Sequence, residues 1–147
     1  MKQSTRQTTK QTSYQLTAVD FAILQLVRDF HFLTVEQVMK LRGYSSGTLT
    51  TVQTRLQTLS GSNPKVPCEK YLERRQLPYT KPGNTNYIYY LSTQGQHYLE
   101  EAGFTGFSRV RKSEIDRMAY PHLQHVLSLN DFLIAARLLT KEVPAIE

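Results

Sequence analysis

Apolar residues recur at helical spacing through most of this chain, and strand-like runs interrupt that pattern only between residues 71 and 91. The first helical stretch begins at Thr17, with Asp20 three residues on. That pair is a variant of the capping box, in which each side chain bonds the other residue's backbone N–H. Val19, Ile23, Leu26, Val27 and Phe30 then share one face, while Phe21 and Leu24 point to roughly the opposite side. A helix apolar on two sides is expected to lie between partners. Thr34 caps a second, short helix carrying Val35, Val38, Met39 and Leu41, and Gly43 suits the left-handed position at its end. Ser45 or Ser46 is expected to cap a third helix running to about Leu59, with Leu49, Val52, Leu56 and Leu59 as its buried stripe. Gly61-Ser62-Asn63-Pro64 stops it.

Tyr71–Leu77 and Tyr87–Leu91 are short, rich in aromatic or branched residues, and predict two strands. Between them, residues 78–86 form a turn-rich loop with Pro82-Gly83 at its tip, so the pair reads as a hairpin. Ser92-Thr93 caps a fourth helix that Gly103 closes, and a polar connector over residues 104–113 follows. The last stretch places Ile115, Met118, His122, His125, Leu129, Phe132, Ala136 and Leu139 in a heptad-like seam, with Ala119, Val126 and Leu133 beside it. Pro121 predicts a break near Tyr120 and a main helix from 121 to about 141. The expected fold is mainly α with a small β-hairpin: a winged helix-turn-helix plus a C-terminal helical extension. Its parts are a basic arm (1–15), a winged-helix domain (16–103), and a linker with the final helix (104–147).

Charge sharpens this picture. Residues 1–91 hold 12 Lys/Arg against 5 Asp/Glu, whereas residues 92–147 hold 6 against 7. A basic first part suggests a module that binds a polyanion. No apolar run approaches the roughly 18 residues that a bilayer span needs, and no secretory leader is evident, so a cytoplasmic location is expected. The single cysteine, Cys68, has no second thiol for a disulfide and no basic neighbour to mark it as reactive.

Three helices followed by a hairpin put the third helix in the major groove and the hairpin loop over the flanking backbone. The face of that helix opposite its buried stripe is Gly47, Thr50, Thr51, Thr54, Gln57 and Thr58, flanked by Gln53 and Arg55, with Ser46 at its start. It contains no acid. Threonine hydroxyls bond phosphates, their methyls touch thymine, and glutamine bonds adenine. Lys81 and Asn84 at the loop tip, one of Arg74 and Arg75 on the rising strand, Arg42 and Lys40 at the end of the second helix, and Lys2, Arg6 and Lys10 in the arm complete the expected contacts.

The chain resembles the replication-relaxation (plasmid mobilisation-accessory) winged-helix proteins of bacterial plasmids and integrative elements. The residues that carry this are Leu16-Thr17 with Asp20, Ile23 and Leu24; Phe32-Leu33-Thr34 with Gln37-Val38; and Arg55-Leu56 with Leu59. They continue in Tyr87–Leu91 with Gly95 and in His125–Phe132, covering about residues 16–135. The resemblance implies duplex DNA binding in replication, conjugative transfer or its regulation, and the function expected for this chain extends to transcription control. The third helix is poorer in arginine than such proteins often show.

The final seam is expected to serve dimerisation or docking through Met118, His122, His125, Leu129, Phe132, Leu133 and Leu139, with Phe21 and Leu24 as the surface that receives it. A homodimer is the favoured arrangement, and a relaxase, helicase or other DNA-processing protein is the rival partner. His122, His125, Asn130 and Asp131 have no tidy ligand spacing and are read as bonding within a helical interface against the second face of the first helix. No metal, cofactor or catalytic group is expected, since phosphate-loop and nucleophile motifs are missing. Two functions follow: a double-stranded DNA-binding accessory protein that is not an enzyme, or a winged-helix protein-protein adaptor that has lost its DNA role.

Overall fold

The computed structural model describes residues 14–44, 46–77, 87–107 and 109–142. Helix α1 (Ala18–Phe30) starts where Thr17 and Asp20 close a full capping box. Helix α2 (Val35–Arg42) repeats the device with Thr34 and Gln37, and Gly43 ends it in the left-handed region at φ 72°. A 3-10 turn over Ser46–Thr48 leads into α3 (Leu49–Leu59). The expected serine cap is therefore corrected. The helix starts from Thr48, whose side chain makes no capping bond, because the tighter turn takes up the residues before it.

Between α1 and α2 lies a strand that the hydrophobic pattern does not announce, β1 (Phe32–Thr34). Three residues are too few to display a period of two. Strand β3 (Tyr87–Leu91) pairs antiparallel with β1 on one side and with β2 (Leu72–Gln76) on the other, giving the order β1-β3-β2. The expected hairpin is thus two-thirds of a three-stranded sheet.

Side-chain alternation divides that sheet into two working faces. Leu33, Leu72, Tyr89 and Leu91 join Ile23, Leu24, Val27, Val38, Val52, Leu56 and Leu59 in the main core. Phe32, Ile88 and Tyr90 point the other way, into a second cluster with Leu77, Ile115 and Leu123. Among the described residues the Tyr90 hydroxyl has no hydrogen-bond partner. Burial, with Glu73 and Asp116 nearby, pushes its pKa up to about 12.

The second cluster exists because the chain returns across the sheet. After α4 (Thr93–Glu101), helices α5 (Lys112–Arg117) and α6 (Tyr120–Glu142) cover the face that the first three helices leave bare. Pro121 sits in the first turn of α6, where a missing N–H costs nothing. Three polar side chains fasten this layer. Buried Asn130 donates from Nδ2 to the carbonyls of Phe32 (2.9 Å) and Phe30 (3.4 Å). Gln37 donates from Nε2 to the Leu127 carbonyl (3.1 Å) and to Asp131 (2.9 Å), while its Oε1 accepts from the Thr34 N–H. Arg75 on β2 donates to the carbonyls of Ile115, which also accepts from the Met118 N–H, and of Met118 at the end of α5.

Gly95, in the first turn of α4, is where that helix meets the edge of the sheet. A Cβ there would lie 2.2 Å from the Tyr71 carbonyl oxygen and 3.0 Å from a Leu91 methyl. Alanine gains about 1 kcal/mol in helix propensity over glycine, but the clash is with backbone that cannot swing aside. Gly95→Ala is expected to cost about 2–3 kcal/mol net, read from the urea unfolding midpoint; an unchanged midpoint would contradict this contact.

Candidate nucleic-acid interface

Val52, Leu56 and Leu59 are buried, which fixes the side of α3 that faces outward. Gly47, Thr50, Thr51 and Thr54 are exposed there, and Gln53 and Gln57 are half-buried at the margins. Ser46 heads the 3-10 turn. Thr58 does not belong to this face, and its assignment is corrected. It is 5% exposed, its hydroxyl donates to the Thr54 carbonyl (3.0 Å), and it accepts from Asn63 Nδ2 (3.2 Å). The last turn has rotated it towards the loop that follows.

Arg55 is a second correction. Its Nη1 donates to Asp20 Oδ1 at 2.6 Å and to Thr17 Oγ1 at 3.2 Å. Asp20 is fully buried, and its other oxygen accepts from the Thr17 N–H (2.9 Å) and the Tyr14 hydroxyl (2.8 Å). The carboxylate therefore ties the start of α1 and the incoming chain to the middle of α3. Its hydrogen bond raises the Arg55 pKa further, and burial followed by that same carboxylate raises Tyr14. Arg55 orients the outward face rather than forming part of it.

The strand arginines separate as alternation requires. Arg75 faces α5 and spends its guanidinium on two carbonyls, so it is withdrawn from the DNA-facing set. Arg74 lies on the opposite face, its guanidinium 4.1 Å from the centre of the Tyr87 ring. Arg42 lies 5.7 Å from the Tyr44 ring centre, and Lys40 beside it is exposed. Lys81 and Asn84, like Lys2, Arg6 and Lys10, lie outside the described residues.

The expected receiving surface on α1 is already occupied. Leu24 is wholly buried in the main core. Phe21 packs against Tyr98 and Phe104, with ring centroids 5.9 and 5.6 Å away. The two-sided helix is indeed sandwiched, but by α4 and the segment after it. Within the final seam, Ile115 is buried and Met118 packs against the same second cluster. His122 and His125 are exposed, not bonded inside an interface, because α6 docks through Leu123, Asn130 and Ile134 instead. Asn130 and Asp131 do bond across an interface, to the backbone of Phe30 and Phe32 and to Gln37 rather than to the second face of α1. Leu129, Phe132, Leu133 and Leu139 remain 49%, 69%, 51% and 59% exposed.

Sequence reasoning missed Tyr14 and Gln37 as anchors. Gln37 entered only among the residues that carry the family resemblance, and nothing local points to its partner ninety residues on. Among the described residues no three His, Cys, Asp or Glu come together as metal ligands, and no helix is long and apolar enough to cross a membrane.

A family model described as replication-relaxation matches residues 24–147. No curated protein and no solved structure matches the chain.

Two expectations follow from this geometry. Arg55→Met strips a buried carboxylate of its cationic partner and should cost about 2–3 kcal/mol in urea unfolding, less than for a fully buried pair because the guanidinium reaches solvent. Loss below half a kcal/mol would mean the pair does not anchor α3. Burial first, then the charges of Asp20 and Glu69, lift the Cys68 thiol from its ordinary 9.0 up to about 11. Iodoacetamide should therefore modify the native protein at pH 8 roughly 100-fold more slowly than the urea-unfolded chain, with the rate rising tenfold per pH unit. Equal rates would contradict that environment.

Proposed function

This chain belongs to the replication-relaxation family, and from that premise we propose that it is a double-stranded DNA-binding accessory or regulatory protein of a plasmid or mobile element. It acts in replication, transfer or transcription control, it works in the cytoplasm, and it is not itself an enzyme. Its partners in this reading are duplex DNA, a second copy of the chain, and a relaxase, helicase or other DNA-processing protein.

The observation that carries the proposal is the outward side of α3. Gly47, Thr50, Thr51 and Thr54 stand exposed on a helix whose sequence, Leu49–Leu59, contains no carboxylate. Such a surface offers hydroxyls to phosphate and methyls to thymine without repelling the duplex. Gly47 lets the backbone approach closely. In this reading Arg42, Arg74, Lys81 and the basic arm supply positive charge to the duplex, and Asn84 a hydrogen-bonding amide. The excess of basic residues before position 92 supports the same reading.

A specific observation also favours the adaptor reading. Arg55 and Arg75 are spent inside the fold, which leaves the α3 face itself without a cation. The two readings part on one measurement. Thr50→Glu with Thr54→Glu places two charges on the exposed face and disturbs no buried contact. Retardation of a duplex in low salt should weaken at least a hundredfold in this variant, and the parent's affinity should fall steeply as salt rises. Weak parent binding that ignores both the substitutions and the salt would discard the DNA reading and retain the adaptor.

A further inference from the structure

The outer side of α6 carries a second message. His122, His125, Leu129, Phe132, Ala136 and Leu139 follow one another at steps of three and four, and every one of them is exposed. That is the seam spacing of a helix that pairs with another helix along its whole length. It runs about 26 Å at 1.5 Å per residue. The flanking positions are Val126, Ser128, Leu133, Ala135 and Thr140. Between residues 122 and 140 no Asp, Glu, Lys or Arg falls on the seam or its flanks, and its only ionisable groups are the imidazoles of His122 and His125 at one end. Asp131 and Arg137, by contrast, are turned towards the rest of the chain, where they meet Gln37 and Asp29.

A surface so apolar is not left in water without cause. A partner of unlike sequence is usually selected by complementary charge, and the centre and far end of the seam, from Leu129 to Leu139, offer none to meet. The residues instead complement their own reversal. Turn one copy end over end about an axis between Leu129 and Phe132, and Leu129 faces Phe132, His125 faces Ala136, and His122 faces Leu139. The largest residues meet at the centre, and a bulky ring lies opposite the small alanine. Side by side in the same direction, histidine would stack on histidine and alanine would leave a gap against alanine. The reversed pairing also opposes the two helix dipoles.

We propose that two copies of this chain associate through α6 in an antiparallel, two-fold helix pair centred between Leu129 and Phe132. Because α6 is fastened to α2 and β1 through Gln37, Asp131 and Asn130, the pair fixes the separation of two α3 faces as well as their number. The proposal deepens the DNA reading but does not depend on it, since it is tested without DNA.

Light scattering on the full chain at micromolar concentration should give twice the chain mass. Leu129→Glu with Phe132→Glu should return a single-chain mass while the far-ultraviolet circular dichroism stays unchanged, because both residues are exposed. A parent that is already a single chain overturns the proposal and leaves the face to a different protein. So does a dimer that survives the two glutamates. Direction is tested in a Cys68→Ser background by mild oxidation. The doubly substituted His125→Cys, Ala136→Cys chain should cross-link to its partner, and neither single variant should. Cross-linking by Ala136→Cys alone would overturn the antiparallel arrangement.

Discussion

A carboxylate with no access to water organises the first half of this molecule. Asp20 accepts from the Thr17 N–H and the Tyr14 hydroxyl in the segment that leads into α1, and from Arg55 on α3, 35 residues later. Burying a charge is tolerated only when it is paired and hydrogen-bonded, and here both requirements are met on one side chain. Packing of Val52, Leu56 and Leu59 would allow α3 some rotation about its own axis, since hydrophobic contact has no direction. The Asp20–Arg55 bond removes that freedom. The threonines that face outward do so because the arginine beside them faces in.

The second half is organised by polar contacts of another kind. Asn130, Gln37 and Arg75 all donate to backbone carbonyls of another element: Phe30 and Phe32 for Asn130, Leu127 within α6 for Gln37, and Ile115 and Met118 for Arg75. The Asn130 and Gln37 bonds set α6 against α2 and β1, the Arg75 bonds hold α5 to β2, and the leucines and isoleucines then fill the space between. One face of α6 is used up by this docking. The other is left apolar, and it is the same seam that gives the helix its heptad appearance in the sequence.

Much of this was legible from spacing alone. Thr17 with Asp20, Thr34, and Ser92 mark three helix starts, and the structure has caps at each. Tyr87–Leu91 is a strand with the bounds its composition suggests. What escaped was whatever depended on distant partners. Arg55 looks like a DNA contact until Asp20, 35 residues earlier, is seen to hold it. Arg75 looks equivalent to Arg74 until α5, 40 residues later, claims it. The length of the final seam hid the same difficulty, because two helices of different orientation share it: Ile115 and Met118 face the sheet, whereas Leu129 and Phe132 face away. Periodicity reports that a face is apolar, not which neighbour takes it.

The double duty of the sheet has a consequence for how such a module travels between proteins. A winged helix is often thought of as a cassette, cut at its last strand and joined to something new. Here a cut after Leu91 would bare Phe32, Ile88 and Tyr90 together and would strand the Gln37 amide without its acceptors. The first three helices with their sheet and the C-terminal helices therefore form one unit of inheritance, and any shuffling of this architecture has to carry both.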